Sequence, residues 1–120
     1  MGATFKDLKV WQRSRFLAVK IYTVTKNFPK EEVYGMTNQM RRSAISIPSN
    51  IAEGHRRGSN KEFIQFLKIA RGSLAEVETQ VIVSGDINYI ATNVVEEITK
   101  EIEEIEKMIN GLINSLTAND

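Results

Sequence analysis

Arginine and lysine crowd the first half of this chain, and their placing is the first chemistry that the sequence offers. Arg13, Arg15, Arg41, Arg42, His55, Arg56, Arg57 and Lys61, with Lys9 beside them, are the side chains suited to phosphate. Guanidinium forks match phosphate oxygens and keep their charge at any physiological pH. The Arg56-Arg57 pair is followed by Gly58 and then by the amides that open the next expected helix. Arginine forks and a helix N-terminus both attract anions. Basic residues at a helix C-terminus are also what the helix dipole favours for stability alone. The set is therefore a candidate nucleic-acid surface, with structural capping as the competing account.

Signatures of catalysis are scarce. His55 is the single histidine and the chain has no cysteine, so a histidine metal cluster cannot form within one chain, and a serine triad would have to be built around His55 beside a helix end. No phosphate-cradling loop, dinucleotide fingerprint or zincin motif occurs. Gly72-Ser73-Leu74 falls inside an expected helix. The row Glu96, Glu97, Glu101, Glu103, Glu104 and Glu106 reads as a solvated helix face near an N-terminus, where the dipole favours acid, and it lacks the Glu-x-x-His pairs of di-iron bundles. The expectation is a non-enzyme with no metal and no cofactor. Glu53 either pairs with Arg57 four residues on, or meets an arginine such as Arg42 or Arg71 on a partner helix or subunit. Asn50 reads as a backbone-satisfying residue.

Charge is divided along the chain. Residues 1–58 hold 11 Lys/Arg against 4 Asp/Glu, while residues 59–120 hold 5 against 11, so +7 is followed by −6. The two halves pair with each other, or the first presents a basic face to a polyanion. With 42% hydrophobic and 26% charged residues in 120, the composition is that of an ordinary globular domain. No apolar run approaches the roughly 20 residues of a membrane span. The absence of cysteine and of a signal pattern points to the cytoplasm, without a membrane partner.

Four helical patterns position these residues, over approximately 5–28, 36–57, 60–84 and 93–117, in a single domain covering 1–120. Thr4 is the expected cap of the first, whose core row is Val10, Leu17, Ile21, Val24 and Phe28, with Leu8, Trp11, Ala18 and Tyr22 as a second row. Phe28-Pro29 ends it. Met36, Met40, Ala44, Ile47 and Ile51 form the core face of the second helix. Pro48 removes a donor there and crowds the Ala44 carbonyl, which predicts a bend. The small or polar residues around it, including Asn50 and Gly54, suit the close approach of another helix. Gly58 supplies a left-handed stop and Ser59 to Glu62 a capping box. Phe63, Leu67, Ala70, Leu74, Val77 and Val81 make the third seam, with Phe66, Ile69 and Ser73 beside it and Gly72 marking a close crossing. Gly85 should stop this helix, and Ile87, Tyr89 and Ile90 cover an end of the core. Asn93 should cap the fourth helix, whose seam is Ile98, Ile102, Ile105, Ile109, Leu112 and Leu116. Short loops then give an all-α, antiparallel up-down-up-down four-helix bundle.

Several of these residues also carry a family likeness. Phe5 to Trp11, Phe28-Pro29 with Glu32 and Tyr34-Gly35, Gln39, Arg41-Arg42, Ser46-Ile-Pro-Ser-Asn-Ile-Ala-Glu-Gly54, and Ile69-Ala-Arg-Gly-Ser-Leu74 with Glu76 together resemble the four-helix bundle proteins encoded in intervening sequences of bacterial 23S ribosomal RNA genes. The likeness covers roughly residues 5 to 115. Ser43 stands where the family pattern has alanine. The resemblance implies a left-turning four-helix bundle that assembles as a homopentamer, without established catalytic activity. The accessory variability proteins of diversity-generating retroelements are similar, and they work with a reverse transcriptase and nucleic acid.

Two functions follow as expectations. One is a non-enzymatic homo-oligomeric bundle whose basic residues contact RNA, DNA or a nucleic-acid enzyme. The other is a purely structural or protein-binding oligomer whose arginines are consumed by salt bridges. Pro48, Asn50, Glu53, Gly54 and Gly72 are the expected structural or interface residues.

Overall fold

The computed structural model describes residues 3–119. Four α-helices account for most of them: α1 Lys9–Thr25, α2 Met36–Arg56, α3 Asn60–Asp86 and α4 Thr92–Ala118. Cross-helix contacts fix their directions. Ser43 lies near Gln80, Ser46 touches Ser73, and Gly54 meets Phe66 and Phe63, so α2 and α3 run opposite ways. Arg13 reaches Glu101 and Glu104 while Lys20 reaches Glu97, which orients α4 against α1. Arg71 with Asn110, and Gly85 with Val95, give the same sense for α3 and α4. The product is an all-α four-helix bundle of 46 × 23 × 22 Å.

The core is the one that helical periodicity demands. Leu17, Ile21, Met40, Ile47, Ile51, Leu67, Leu74, Ile102, Ile105 and Ile109 are fully buried at its centre. Each such side chain stabilises the fold by about 1.5–3 kcal/mol relative to exposure. Buried hydroxyls inside α1 are satisfied locally, Ser14 donating to the Val10 carbonyl and Thr25 to that of Ile21.

The ends of the helices depart from expectation in instructive ways. Thr4 does cap a helix, but that helix is a single 3-10 turn, Phe5–Asp7, closed by reciprocal bonds between Thr4 and Asp7. Leu8 is extended, so α1 begins only at Lys9. α1 also stops at Thr25, three residues before Phe28, and a 3-10 turn at Lys30–Glu32 fills part of the first loop. Gly58 takes φ +86°, the left-handed stop that its type predicts. Ser59 accepts from the Glu62 amide, but the Glu62 carboxylate takes the Ser59 hydroxyl rather than the Ser59 amide, so the capping box is half made. Gly85 does not end α3, which runs on to Asp86; it instead allows close packing on α4, since a Cβ there would stand 2.7 Å from Val95. Asn93 is not the cap of α4, which opens at Thr92 after Ala91 without a side-chain cap. In α4 the buried row passes from Ile109 to Ile113, leaving Leu112 and Leu116 half-buried. Over the other end of the core, Tyr89 and Ile90 close in as expected, while Ile87 stays exposed. Tyr89 stacks near Phe28 at 5.1 Å and donates to Glu32 at 2.8 Å, which holds the phenol above its ordinary pKa.

One expectation about the middle of the bundle, the crossing at Gly72, needs correction. α2 runs through Pro48 as one helix from Met36 to Arg56, close to the expected 36–57. Pro48 is buried on the α1 side, next to Ala18 and Val19, and fully buried Ile47 and Ile51 hold the flanking turns in the core. Gly72 does not mark the close crossing; it is exposed, and a Cβ there would meet nothing within 4 Å. That crossing belongs to Gly54, where a Cβ would stand 2.5 Å from the Phe66 Cβ and 3.1 Å from the Phe63 ring.

Candidate nucleic-acid interface

The basic residues are carried by helix faces that point in different directions, and most are already engaged. Arg13 sits on the α1 edge facing α4. Its Nε donates to Glu101 at 2.7 Å, and its Nη2 to Glu101 at 2.9 Å and Glu104 at 2.8 Å. These bonds raise the guanidinium pKa still further and lower that of the Glu104 carboxyl. Two residues on, Arg15 turns to the opposite edge, with its guanidinium 5.6 Å from the Trp11 ring centre and 5.7 Å from that of Phe16. Arg41 ties α2 back to the end of α1, donating to the Thr25 hydroxyl at 2.9 Å and the Tyr22 carbonyl at 3.3 Å while covering the Tyr22 ring at 4.7 Å.

The second cluster lies at the other end of α2, roughly 22 Å away by helical rise. Arg56 covers Phe5 at 5.3 Å and Arg57 covers Phe66 at 5.0 Å. Arg57 also pairs with Glu53 at 3.0 Å and reaches toward Glu62 at 3.8 Å, so Glu53 takes the intrahelical partner. His55 lies edge-on to Phe63 at 5.6 Å. Asn50 spends its amide on the Ser46 carbonyl at 2.8 Å and hydroxyl at 2.9 Å, as a backbone-satisfying residue should. Arg42 and Lys61 are exposed and form no ion pair among the described residues. Arg42 borders a shallow polar groove of about 280 Å³ with Asn38, Gln39, Ser43, Glu76 and Gln80. The Gln80 carboxamide oxygen there is buried without a hydrogen-bond partner.

The structure thus brings Arg56 and Arg57 together at one end, and leaves Arg13, Arg15 and Arg41 apart. Among the described residues no group of three His, Asp or Glu converges as metal ligands, and no helix is long and apolar enough to cross a membrane.

Two features lay outside the sequence expectations. Lys20 pairs with Glu97 at 2.9 Å, extending the Arg13 contact along the same rim; its signal was its place seven residues after Arg13, two turns along one face. The second is apolar. Val19 (58% exposed), Ile45 (47%) and Tyr22 (40%) line an α1–α2 groove of about 430 Å³ that Pro48 floors, while Phe16 (64%) lies on the other edge of α1, in the α1–α4 groove. Phe16 and Val19 belong to neither apolar row of α1, and that mismatch was the available sign.

Comparison with known proteins agrees with the fold. None of the curated proteins compared with the chain matches it. A crystal structure of a protein with unknown function from the S23 ribosomal protein family, from Bacteroides thetaiotaomicron VPI-5482, superposes with a TM-score of 0.77 at 30% identity, covering 87% of this chain and 97% of that one. The family model described as 23S rRNA-intervening sequence protein matches residues 6–111. With helix order, core and central Ser46–Gly54 block in place, this chain belongs to the 23S rRNA-intervening sequence protein family.

Proposed function

We propose that the protein is a non-enzymatic structural subunit that works as a homo-oligomer. The observation that carries this is the exposed apolar patch of Val19, Tyr22 and Ile45 that lines the α1–α2 groove. Contiguous apolar surface of this kind marks an interaction site. Its occupant is the outer face of α3 in a second copy. Ile69 is 52% exposed there, and Gly72, Thr79 and Val83 follow it at steps of three, seven and four along one stripe. Charge is complementary: Arg15 and Lys26 line the groove, while Glu76 and Asp86 flank the α3 stripe. Those pairs are separated by about 16 and 15 Å along their helices. Because the two faces differ, the contact is heterologous and generates a ring or an open array. Family resemblance implies five copies.

Light scattering tests this directly. The native protein should have a mass several times the 13.6 kDa of one chain, and Val19→Asp or Ile69→Asp should reduce it to one chain with helicity retained. A native mass of one chain at tens of micromolar overturns the proposal.

A nucleic-acid role is supported by the exposed, unpaired Arg42 and Lys61 and by the Arg56-Arg57 end of α2. Phosphate contacts predict filter-binding affinity that falls steeply with salt. Undetectable binding at about 50 mM salt leaves the oligomer as a purely structural or protein-binding one.

A further inference from the structure

The rim between α1 and α4 is built unlike the other helix contacts. α1 and α4 pack the most sparsely of the neighbouring helices, over a groove of about 290 Å³ floored by Leu17 and Ile98. What closes the rim is charge: Arg13 to Glu101 and Glu104, and Lys20 to Glu97, all within 2.9 Å. Three carboxylates face two cations there. Glu97, Glu101 and Glu104 recur at four and three residues, forming a regular row of negative oxygens along one edge of α4.

We infer that this acidic row stands in for a nucleic-acid backbone and masks a phosphate-binding stripe, Arg13 and Lys20, on α1. The two cations lie seven residues apart on one side of α1, about 10.5 Å along the helix, so that a single nucleic-acid strand can meet both. A bidentate arginine fork is the geometry that binds phosphate as readily as carboxylate. Every partner on the rim is partly open to water, so a polyanion competes for the cations without opening the core. Exposed ion pairs of this kind are individually weak, whereas a nucleic acid gains from displacing counterions at each contact. The mask therefore raises the threshold for binding, independently of how many copies assemble.

The test is fluorescence anisotropy with labelled single-stranded RNA and DNA oligonucleotides of equal length. Neutralising the row by Glu97→Gln, Glu101→Gln and Glu104→Gln should tighten binding on the order of tenfold and steepen the salt dependence by about two. A control triple, Glu96→Gln, Glu103→Gln and Glu106→Gln, makes the same change in net charge on exposed acids that hold no ion pair. It should tighten binding far less. Adding Arg13→Gln and Lys20→Gln to the first triple should remove its gain. Equal gains in the two triples, or a gain that survives loss of both cations, overturn the inference. Glu97→Gln alone frees Lys20 while leaving the Arg13 pairs intact, so a smaller gain of the same sign is readable even if the triple variant does not fold. The relative affinity for RNA and DNA then says which backbone the stripe prefers.

Discussion

The α2–α3 contact and the α1–α4 contact solve the same problem by opposite means. α2 and α3 touch through small residues: Gly54 leaves no room for a Cβ against Phe66, and the hydroxyls of Ser46 and Ser73 lie 2.8 Å apart. α1 and α4 stand off over a groove and are joined at its rim by Arg13, Lys20 and three glutamates. Close packing is short-ranged, indifferent to salt and intolerant of added volume. A charged rim tolerates volume, but it responds to salt and pH and can be taken over by another ion. The bundle thus has one face fixed by shape and one that solution conditions can adjust.

The largest expected effect lies on the packed side. Gly54→Ala improves helix propensity by about 1 kcal/mol, yet it places a Cβ 2.5 Å from the Phe66 Cβ. Overpacking should win, with a net loss of about 1–3 kcal/mol by urea denaturation. Gly72→Ala, where no atom of the same subunit meets a Cβ, should show the opposite sign in the single-chain Val19→Asp background, a gain of about 0.5–1 kcal/mol. If both substitutions stabilise, α2 and α3 are not locked by shape and the contrast with α1–α4 fails.

The same pair of glycines shows where the sequence was legible and where it was not. Periodicity placed nearly all of the core, because every third or fourth apolar residue has to face inward whatever the partner is. It could not assign the crossing between Gly54 and Gly72, since both sit among small residues. Gly72 is one residue, or about 100° of helical rotation, from Ser73, and only Ser73 faces α2. At Pro48 the missing donor is a local cost, and flanking Ile47 and Ile51, wholly buried, keep the helix running. For the candidate site, the +7 and −6 halves offered mutual pairing as one of two readings. They did not say that Arg13 would be consumed while Arg42 stayed open, because that depends on the rotation of α1 against α4. Cation–π contacts of Arg15, Arg41, Arg56 and Arg57 were equally illegible, as each needs a ring brought from elsewhere in the fold or one turn away.

On the charged side a smaller effect is expected, and a different dependence. Arg13→Gln removes a bidentate pair and its second glutamate, and should lower stability by up to about 1 kcal/mol at low ionic strength. Added salt should erase most of that difference, because the rim is within reach of solvent ions. The cost of Gly54→Ala should be unchanged over the same series. Parallel salt profiles for the two variants would mean that Arg13 contributes through the packing of its stem rather than through its charge.

The smallest effect is the dependence of this rim on pH, and its sign is determined. The hydrogen bond from Arg13, reinforced by the arginine charge, holds the Glu104 carboxyl below its ordinary pKa. A carboxyl that is more acidic in the folded than in the unfolded chain adds stability above the unfolded pKa and surrenders it as pH falls through the folded value. The urea midpoint of the native protein should therefore exceed that of Glu104→Gln at neutral pH, with the gap closing through the acid carboxylate range and absent below it. Arg13→Gln should remove most of the gap, since the largest cause of the lowered pKa is gone and only the weaker pull of Lys100 and Lys107 is left. A gap that persists unchanged into acid would place the contribution of Glu104 in van der Waals contact with α1, and the α1–α4 rim would then differ from α2–α3 in degree rather than in kind.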